Sequence, residues 1–589
     1  MSSSFQPLEP ILVMDPRIIV ENKRDYAVLK SGSQTTWKQW TSTSISTNSI
    51  NFSVPPPSAG VFIDRKIFFV LSVQLSFTGI PPAGVTLLNV NRDAPRAFPI
   101  AGSLNNIKMT INNHTMNFES AEFIHALLRF NNGVQLKNCD YSMTPNMYDQ
   151  SQQYGDLFGT IRSPLFNYGD SQDGTELNRG GFPFQIISNI AGDGVTPRTA
   201  VVNATFCEPL FISPLYFGAH NGSGFFNVNA MDFIFNFVSG ANAIASRMWS
   251  HDDNGGTNVI TSATAQFNNF GGNQPLLLIQ YITPMETQVL SHDMVISYPY
   301  FDVQKYVTSI GPVAAGVSTS ATSNNIQLNS IPRRMYIYIR QTNADLYNNP
   351  SNTDTYAAIS TISLQYLNKS GLLSGATQYD LYKMSAKNHC NMSWTQWSGG
   401  PVQRPGTWAS VIGTVGSVLC IEFATDIGLD SLDAPGKLNQ GMIQVLVNYT
   451  NIASRTINFD LYIVPILEGV FTIEGLGRAS TNIGVISSKD ILDCQAKPWV
   501  NYKDIQHVNG GDFFSSLWDF GKKVNDFLKR NKVISRLAHS PLGKALDVAT
   551  GLPLSTGIGT AAEALGYGEG GVLVGGRRLA RSKLKHRLM

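Results

Sequence analysis

The chain has 589 residues, of which 43% are hydrophobic and only 14% charged, with a formal net charge of +2. That length fits three or four domains of roughly 150 residues, or fewer if they are all-β domains of about 200–250, and the charged fraction lies well below the usual ~25%. The five cysteines are widely spaced with no CxxC pair, which argues against a disulfide framework or a zinc site. No apolar run approaches the ~18 residues of a membrane-spanning helix, and the opening Met1-Ser2-Ser3-Ser4-Phe5-Gln6-Pro7 lacks the basic and apolar regions of a signal peptide.

Residues 1–45 carry turn and extended signals with little periodicity and read as an N-terminal arm. From there strands dominate. Ile50–Val54 alternates apolar and polar residues ahead of Pro55-Pro56-Pro57, and Val61–Phe77, Phe225–Val238 and Leu276–Thr283 are rich in β-branched and aromatic residues. The second half adds Met335–Arg340, Ile359–Leu367, Val418–Phe423, Met442–Tyr449 and Ile457–Val464. Short strands between turn-rich connections predict β-sandwiches. The long loops, such as 150–155 and 169–181, are rich in Asn, Gln, Ser, Thr and Gly. Amides and hydroxyls can hydrogen-bond at a buried interface, where lone charges are costly, so such loops suit a dense assembly.

Four patterns occur twice, in the same order. Val61–Phe68 is echoed by Ile331–Tyr336. Ile107–Asn113, followed by a short helical pattern over Ser120–Phe130, is echoed by Ile362–Asn368 and then Ala376–Ser385. Phe206-Cys207-Glu208 is echoed by Leu419-Cys420-Ile421-Glu422, and Tyr281–Pro284 by Tyr462–Pro465. The offset shrinks steadily along the chain, as expected for one duplicated domain whose second copy has shorter loops. The expected organisation is a first sandwich over 46–290 with long loop insertions and a second over 291–495. Cys207 and Cys420 fall at equivalent strand positions and read as small buried core residues.

Residues 496–589 differ from the rest. Phe513, Leu517, Phe520, Val524, Phe527, Leu528 and Ile534 fall near helical spacing, with Lys522, Lys523, Lys529, Arg530, Lys532 and Arg536 on much of the remaining face. A Gly/Ala-rich stretch leads to Arg577, Arg578, Arg581, Lys583, Lys585 and Arg587. Residues 512–589 hold 13 Lys and Arg against 6 Asp and Glu, a net +7, which leaves −5 on residues 1–511. A cationic tail on a mildly acidic body points to an anionic partner such as DNA or a membrane.

Two sandwiches in tandem, each with a small helix in one connection, look like a double jelly roll, each unit an eight-stranded antiparallel sandwich of the kind used in viral capsids. The opening blocks Asp15-Pro16-Arg17, Asn22–Tyr26, Lys30–Gln34 and Asn51-Phe52 through Pro55–Ser58 into Ile63-Asp64-Arg65 resemble the major capsid proteins of virophages and polinton-like viruses. The resemblance spans roughly residues 10–490. It implies a non-enzymatic subunit of the virion that forms homotrimers. Each trimer is a pseudo-hexameric capsomer that meets neighbouring capsomers and vertex or minor capsid proteins in the icosahedral shell of a double-stranded DNA virus. It implies no cofactor. Such viruses often encode a cysteine protease whose sites resemble Met/Ile/Leu, any residue, Gly-Gly. Leu573–Gly576 before Arg577 fits, and Val508–Gly511 before Asp512 departs only at its first residue. These mark Gly511, Asp512, Gly576 and Arg577 as candidate cleavage positions, and the basic tail as a segment acting inside the shell during assembly.

Other signals are set aside. Gly557–Ala562 fits a glycine-rich dinucleotide fingerprint without its strand or downstream acid. His251-Asp252-Asp253 and Asp170…Glu176 lack calcium-loop spacing. His389-Cys390 and His292-Asp293 are adjacent pairs that a strand would point to opposite faces, without the positioned base a nucleophile needs. Trp394, Trp397 and Trp408 fit core or intersubunit packing better than ligand stacking, and Arg65-Lys66 and Arg333-Arg334 read as solvated or intersubunit charges. Two other functions compete: a carbohydrate-binding or glycoside-acting β-sandwich, which needs paired carboxylates across a cleft, and a minor vertex or receptor-binding virion protein, against which the duplication argues.

Overall fold

The computed structural model describes residues 33–493, except 59, 89–92, 131–143, 145–183, 216–223, 252–259, 268–273, 285–294, 349–354, 404–410, 414, 454 and 475–476. The apolar, β-branched runs pair as expected into sheets that stack in twos. In the first half the strands are β1 (Ser33–Thr41), β2 (Ser49–Val54), β3 (Phe68–Gly79), β4 (Leu104–Ile111), β5 (His114–Phe118), β6 (Arg198–Pro209), β7 (Met231–Phe237) and β8 (Leu276–Pro284). One sheet contains the order β1-β8-β3-β6, with Phe184–Ser188 paired beyond β6 and Ile260–Gln266 paired along the second half of β3, and the other has the order β2-β7-β4-β5. Both are antiparallel.

In the second half the strands are β9 (Tyr306–Val313), β10 (split into Ser318–Thr322 and Ile326–Ser330), β11 (Arg334–Gln341), β12 (Ala358–Tyr366), β13 (Lys369–Leu372), β14 (Val418–Glu422), β15 (Leu438–Thr450) and β16 (Ile457–Ile473). The sheet orders are β9-β16-β11-β14 and β10-β15-β12-β13, so each strand takes the place of the one eight before it. This is the jelly-roll order, present twice. The cores follow from strand alternation. Phe52 from one sheet packs edge-on against Phe69 of the other at 5.6 Å, and Phe69 stacks on Phe235 at 4.4 Å. Tyr449 meets Phe459 in the second sandwich.

The repeated patterns land on equivalent strands. Cys207 on β6 lies opposite Val70 of β3, and Cys420 on β14 opposite Tyr336 of β11. Both cysteines are buried and unbridged. The turn after β4 places Asn112 at φ 57°, and the turn after β12 places Leu367 at φ 53°. The Tyr281/Tyr462 echo identifies the right strands in different register. Tyr281 pairs with Ile63, but Tyr462 pairs with Tyr338, seven residues beyond Ile331, the echo of Ile63.

Ser33–Thr41, within the stretch read as an arm, pairs with β8 along its whole length. It is an edge strand exposed at nearly every position, so it lacks the alternation by which a strand is recognised.

Among the described residues, six short helices fill connections, α1 (Pro99–Ser103), α2 (Ile124–Leu127), α3 (Ala241–Met248), α4 (Asn343–Asn348), α5 (Gln378–Lys387) and α6 (Trp394–Trp397), and a seventh, Ser488–Asp493, follows the last strand. The helical pattern of Ser120–Phe130 becomes α2 with a following 3-10 turn, and that of Ala376–Ser385 becomes α5. No helix among the described residues is long and apolar enough to cross a membrane.

Candidate functional site: the junction between the sandwiches and the face left open

The β5–β6 connection of the first sandwich carries α2, and one side of it belongs to its own core. Ser120 Oγ donates to the Ala101 and Leu104 carbonyls at 2.8 and 3.1 Å, and Ile124 and Leu127 are buried. Its other side lies on the outer face of the β9-β16-β11-β14 sheet. Phe123 and Phe130 pack edge-on against Tyr336 at 5.7 and 4.8 Å. Tyr338 Oη donates to the Glu122 carbonyl at 2.9 Å, and Asn343 Nδ2 donates to Glu122 Oε1 at 2.7 Å. Lys305 Nζ binds Glu122 Oε2, and also Glu119 at 2.7 Å. Burial pushes the Glu122 carboxyl up, but Lys305 outweighs it and holds the group below its ordinary value. Arg247 ties α3 into the same junction, donating to the Ala121 carbonyl and to Asn343 Oδ1. The Arg129 guanidinium lies over the Tyr356 ring, and its carbonyl accepts from Asn391 N.

A second set of contacts comes from the far end of β16. There the strand Ile296–Val303 pairs alongside, and Tyr298 Oη donates to Gly224 O at 2.9 Å and accepts from Phe226 N. Phe471 packs on Phe225, and His114 bonds Thr481 at 2.8 Å.

The outcome is an asymmetry between equivalent sheets. Every residue of β11 and β14 is buried, on both faces. Along most of β8, and along β3 from Val73 onward, burial alternates because the outward side chains are half covered; nearer the start of β3 the outward Phe68 and Ser72 are buried and Val70 between them is half covered. That outer face carries Val70, Leu276 and Leu278 beside neutral pairs, Ser72–Thr205, Gln74–Asn203 and Thr78–Thr199, at 2.9–3.1 Å. Trp37 of β1, 38% exposed, lies 6.4 Å from Phe68 at its margin.

Buried acids are few and individually placed. Glu208, pushed up to about 7 by burial, accepts from Ile100 N and Ala101 N at 2.8 Å and from Thr144 Oγ1. Glu468 is pushed up to about 8 by burial, with Arg333 and Arg334 opposing and Glu422 adding to the rise. No group of three metal-binding side chains occurs among the described residues.

Several sequence signals resolve differently from expectation. Arg65 and Lys66 are buried, not solvated, and Arg65 donates to Pro214 O and lies over the Tyr298 ring. Arg333 pairs with Glu422 at 2.6 Å inside the chain. The charge is needed where the two halves meet, which spacing along the chain does not reveal. His389-Cys390 is not on a strand but closes α5. His389 adopts φ 75°, its N–H bonds Ala386 O, and Cys390 N bonds Ser385 O, a Schellman-type cap. Burial raises the Cys390 thiol to about 12. Trp397 is fully buried and donates to Val418 O, while Trp394 joins Tyr379 and Tyr382 in an aromatic cluster on the outside of α5 and α6. His251 bonds Asp93 at 3.0 Å, both buried. Asp252, Asp253, Asp170–Glu176, His292-Asp293, Trp408, Gly557–Ala562, the candidate cleavage positions Gly511, Asp512, Gly576 and Arg577, and the basic tail from Lys522 to Arg587 lie outside the described residues. Sequence reasoning missed Glu122, Lys305, Tyr338 and Asn343. No local signal joins residues about two hundred positions apart.

Comparison with known proteins agrees with this architecture. Residues 7–282 match the first domain of the Sputnik virophage major capsid protein, and residues 303–469 match the C-terminal domain of major capsid protein V20. The chain is 33% identical to Sputnik virophage capsid protein V20, with all of both chains covered. Among solved structures, it is similar to a chain of the Sputnik virophage cryo-EM structure, with TM-score 0.76 and 32% identity, covering 87% of this chain and all of that one. It shares its fold with the mavirus major capsid protein, with TM-score 0.65 and 14% identity, covering 84% and 99%. A doubled jelly roll joined through a charged, aromatic junction, related in sequence from end to end, places this chain in the virophage major capsid protein family, whose members are structural proteins of the virion and not enzymes.

Proposed function

We propose that three copies of this major capsid protein associate into a pseudo-hexagonal capsomer, and that capsomers tile an icosahedral shell together with vertex or minor capsid proteins. The observation that carries this reading is the duplicated strand order within one chain. A flat lattice needs six similar lateral contacts per block, and a doubled sandwich in a homotrimer supplies them from one gene. Heterologous contacts between copies close into a ring when the rotation allows it. Light scattering and electron microscopy of the expressed full chain test it. Three-fold particles with hexagonal outlines are expected, and a monomer at all concentrations overturns the reading.

The tail has a second part in the same proposal. Residues 496–589 face the shell interior, where Lys522, Lys523, Lys529, Arg530, Arg577, Arg578, Arg581, Lys583, Lys585 and Arg587 bind DNA or a membrane during assembly. A viral cysteine protease cuts between Gly511 and Asp512, between Gly576 and Arg577, or both. The net +7 of residues 512–589 supports an anionic partner. Terminal mass spectrometry of mature particles is expected to find chains ending at Gly511 or Gly576, and an intact chain refutes processing.

A further inference from the structure

We propose that Lys305, Glu122 and Asn343 form a self-crosslinking site, in which the Lys305 amine displaces ammonia from the Asn343 side-chain amide and leaves an isopeptide bond at the junction between the sandwiches. The event is a single-turnover modification of the chain by its own side chains, and it does not depend on the trimer reading.

Three chemical roles converge there. One carboxylate touches both reacting groups: Lys305 Nζ binds Glu122 Oε2, and Asn343 Nδ2 donates to Oε1 at 2.7 Å. Nucleophile and leaving group are therefore held side by side on one proton carrier. Arg247 Nη2 donates at 2.9 Å to Asn343 Oδ1, the atom on which charge develops when the amide carbon is attacked. The three groups also stand on fixed elements, as a positioned reaction requires. Lys305 leads into β9, Asn343 opens α4, and the Glu122 carbonyl is held by Tyr338 Oη at 2.9 Å. Arg247 is buried and also bonds the Ala121 carbonyl. The Lys305 and Glu122 side chains are only 19% and 16% exposed, which limits competition from water.

Lys305 passes a proton to Glu122 Oε2, and its freed lone pair forms a bond to Asn343 Cγ while the carbonyl electrons move onto Oδ1, against Arg247. Glu122 gives its proton to Nδ2 and takes a second from Nζ. The Cγ–Nδ2 bond breaks as the carbonyl re-forms, and the departing ammonia carries the last proton away as ammonium. Glu122 is again ionised, and no oxidant or cofactor takes part.

At rest the lysine is an ammonium. Burial pulls both partners towards their neutral forms, but attraction to Glu122 and Glu119 holds Lys305 above its ordinary value, and Lys305, with Arg340 and Arg247 adding, holds Glu122 below its own. Asp460 of β16 also feels the Glu122 charge. Only the small fraction in which the proton has crossed to Glu122 reacts, so the bond forms slowly. Because lysine and glutamate share one proton throughout the range between their two values, the rate is flat from about pH 6 to about pH 9. The reacting pair belongs to the second sandwich and Glu122 to the first, so the bond closes only after the two have docked.

The test stores folded full-length chain at several pH values and follows intact mass and tryptic peptides. The expected product is lighter by one ammonia, resists trypsin after Lys305 and yields a branched peptide joining Lys305 to Asn343. Lys305→Arg keeps the charge beside Glu122 and Glu119 without a nucleophile, and is expected to abolish the branched peptide while melting like the wild type. Glu122→Gln is expected to slow the reaction at least about 100-fold. If Glu122→Gln melts early, Lys305→Arg and the pH profile decide. A cooperatively melting wild type that never yields the branched peptide overturns the inference, as does an undiminished rate in folded Glu122→Gln. Asparagine closing on its own backbone also loses ammonia, but by base catalysis. An ammonia loss that persists in Lys305→Arg and climbs with pH is that reaction, and it overturns the inference too.

Discussion

The sheets β1-β8-β3-β6 and β9-β16-β11-β14 have the same strand order and descend from the same repeated pattern, yet β11 and β14 are buried on both faces, whereas β3 and β8 keep half-covered outward positions such as Val70, Gln74, Leu276 and Leu278. The outward positions of the covered sheet hold Tyr336, Tyr338, Tyr462 and Arg340, all buried. The corresponding sheet of the first sandwich holds Val70, Ser72, Gln74 and Ser76. A face covered within its own chain from the moment of folding can take large aromatics and a half-buried ion pair. A face that stays half open carries neutral, modest side chains, which limits nonspecific association.

This difference is measurable residue by residue. The largest effect is expected at Tyr336→Ala, which removes a fully buried ring between Phe123 and Phe130 and should cost about 3–5 kcal/mol. The matched Val70→Ala should cost only about 1 kcal/mol in dissociated protein. Urea unfolding of both variants makes the comparison, and equal losses would show that the junction adds nothing to the covered sheet.

Next is Glu122→Ala, which leaves Lys305 to Glu119 alone and removes the acceptor for Asn343, with an expected loss of about 2 kcal/mol. Removing the neutral pair on the open face by Gln74→Ala should cost about 1 kcal/mol. A double-mutant cycle with Lys305→Met isolates the Glu122 pairing. Additive losses would mean the two do not interact.

The covered sheet also holds Glu468, whose proton the fold binds more tightly than the unfolded chain does. The stability it contributes is full below the ordinary glutamate value of 4.5 and is lost as pH rises to about 8. Glu208 acts in the same direction up to about 7. Glu468→Gln should therefore flatten the decline above about pH 7 and leave the Glu208 part in place. Denaturation midpoints across this range are the readout, and an unchanged slope above pH 7 would remove Glu468 from the account.

The smallest effect is expected at Thr377→Ala, which breaks the capping box of α5 for about 1 kcal/mol. Helix α2, its counterpart, has no side-chain cap and is held by burial between the two sandwiches. A loss well above that value would mean α5 also depends on packing not accounted for by its own sandwich.

Most of the strands were legible because the alternation of Phe69, Leu71, Val73 and Leu75, or of Phe459, Leu461 and Ile463, reports one face turned to a core. The edge strand Ser33–Thr41 was not, since neither of its faces is buried. The echo of Tyr281 by Tyr462 finds corresponding strands without corresponding partners, because local similarity says which strands correspond, not which residues lie opposite. The sites expected in the tail lie outside the described residues.

The amino-acid sequence by itself determined that the chain is two copies of one β-sandwich and which residues fill each core, because periodicity and repetition are local properties of the chain. Only the tertiary structure decided that Glu122 meets Lys305, that Tyr336 lies under Phe123 and Phe130, and that β11 and β14 are buried on both faces while their counterparts β3 and β8 are half covered on one. Those contacts join segments about two hundred residues apart, and packing geometry in space, not order along the chain, selects them.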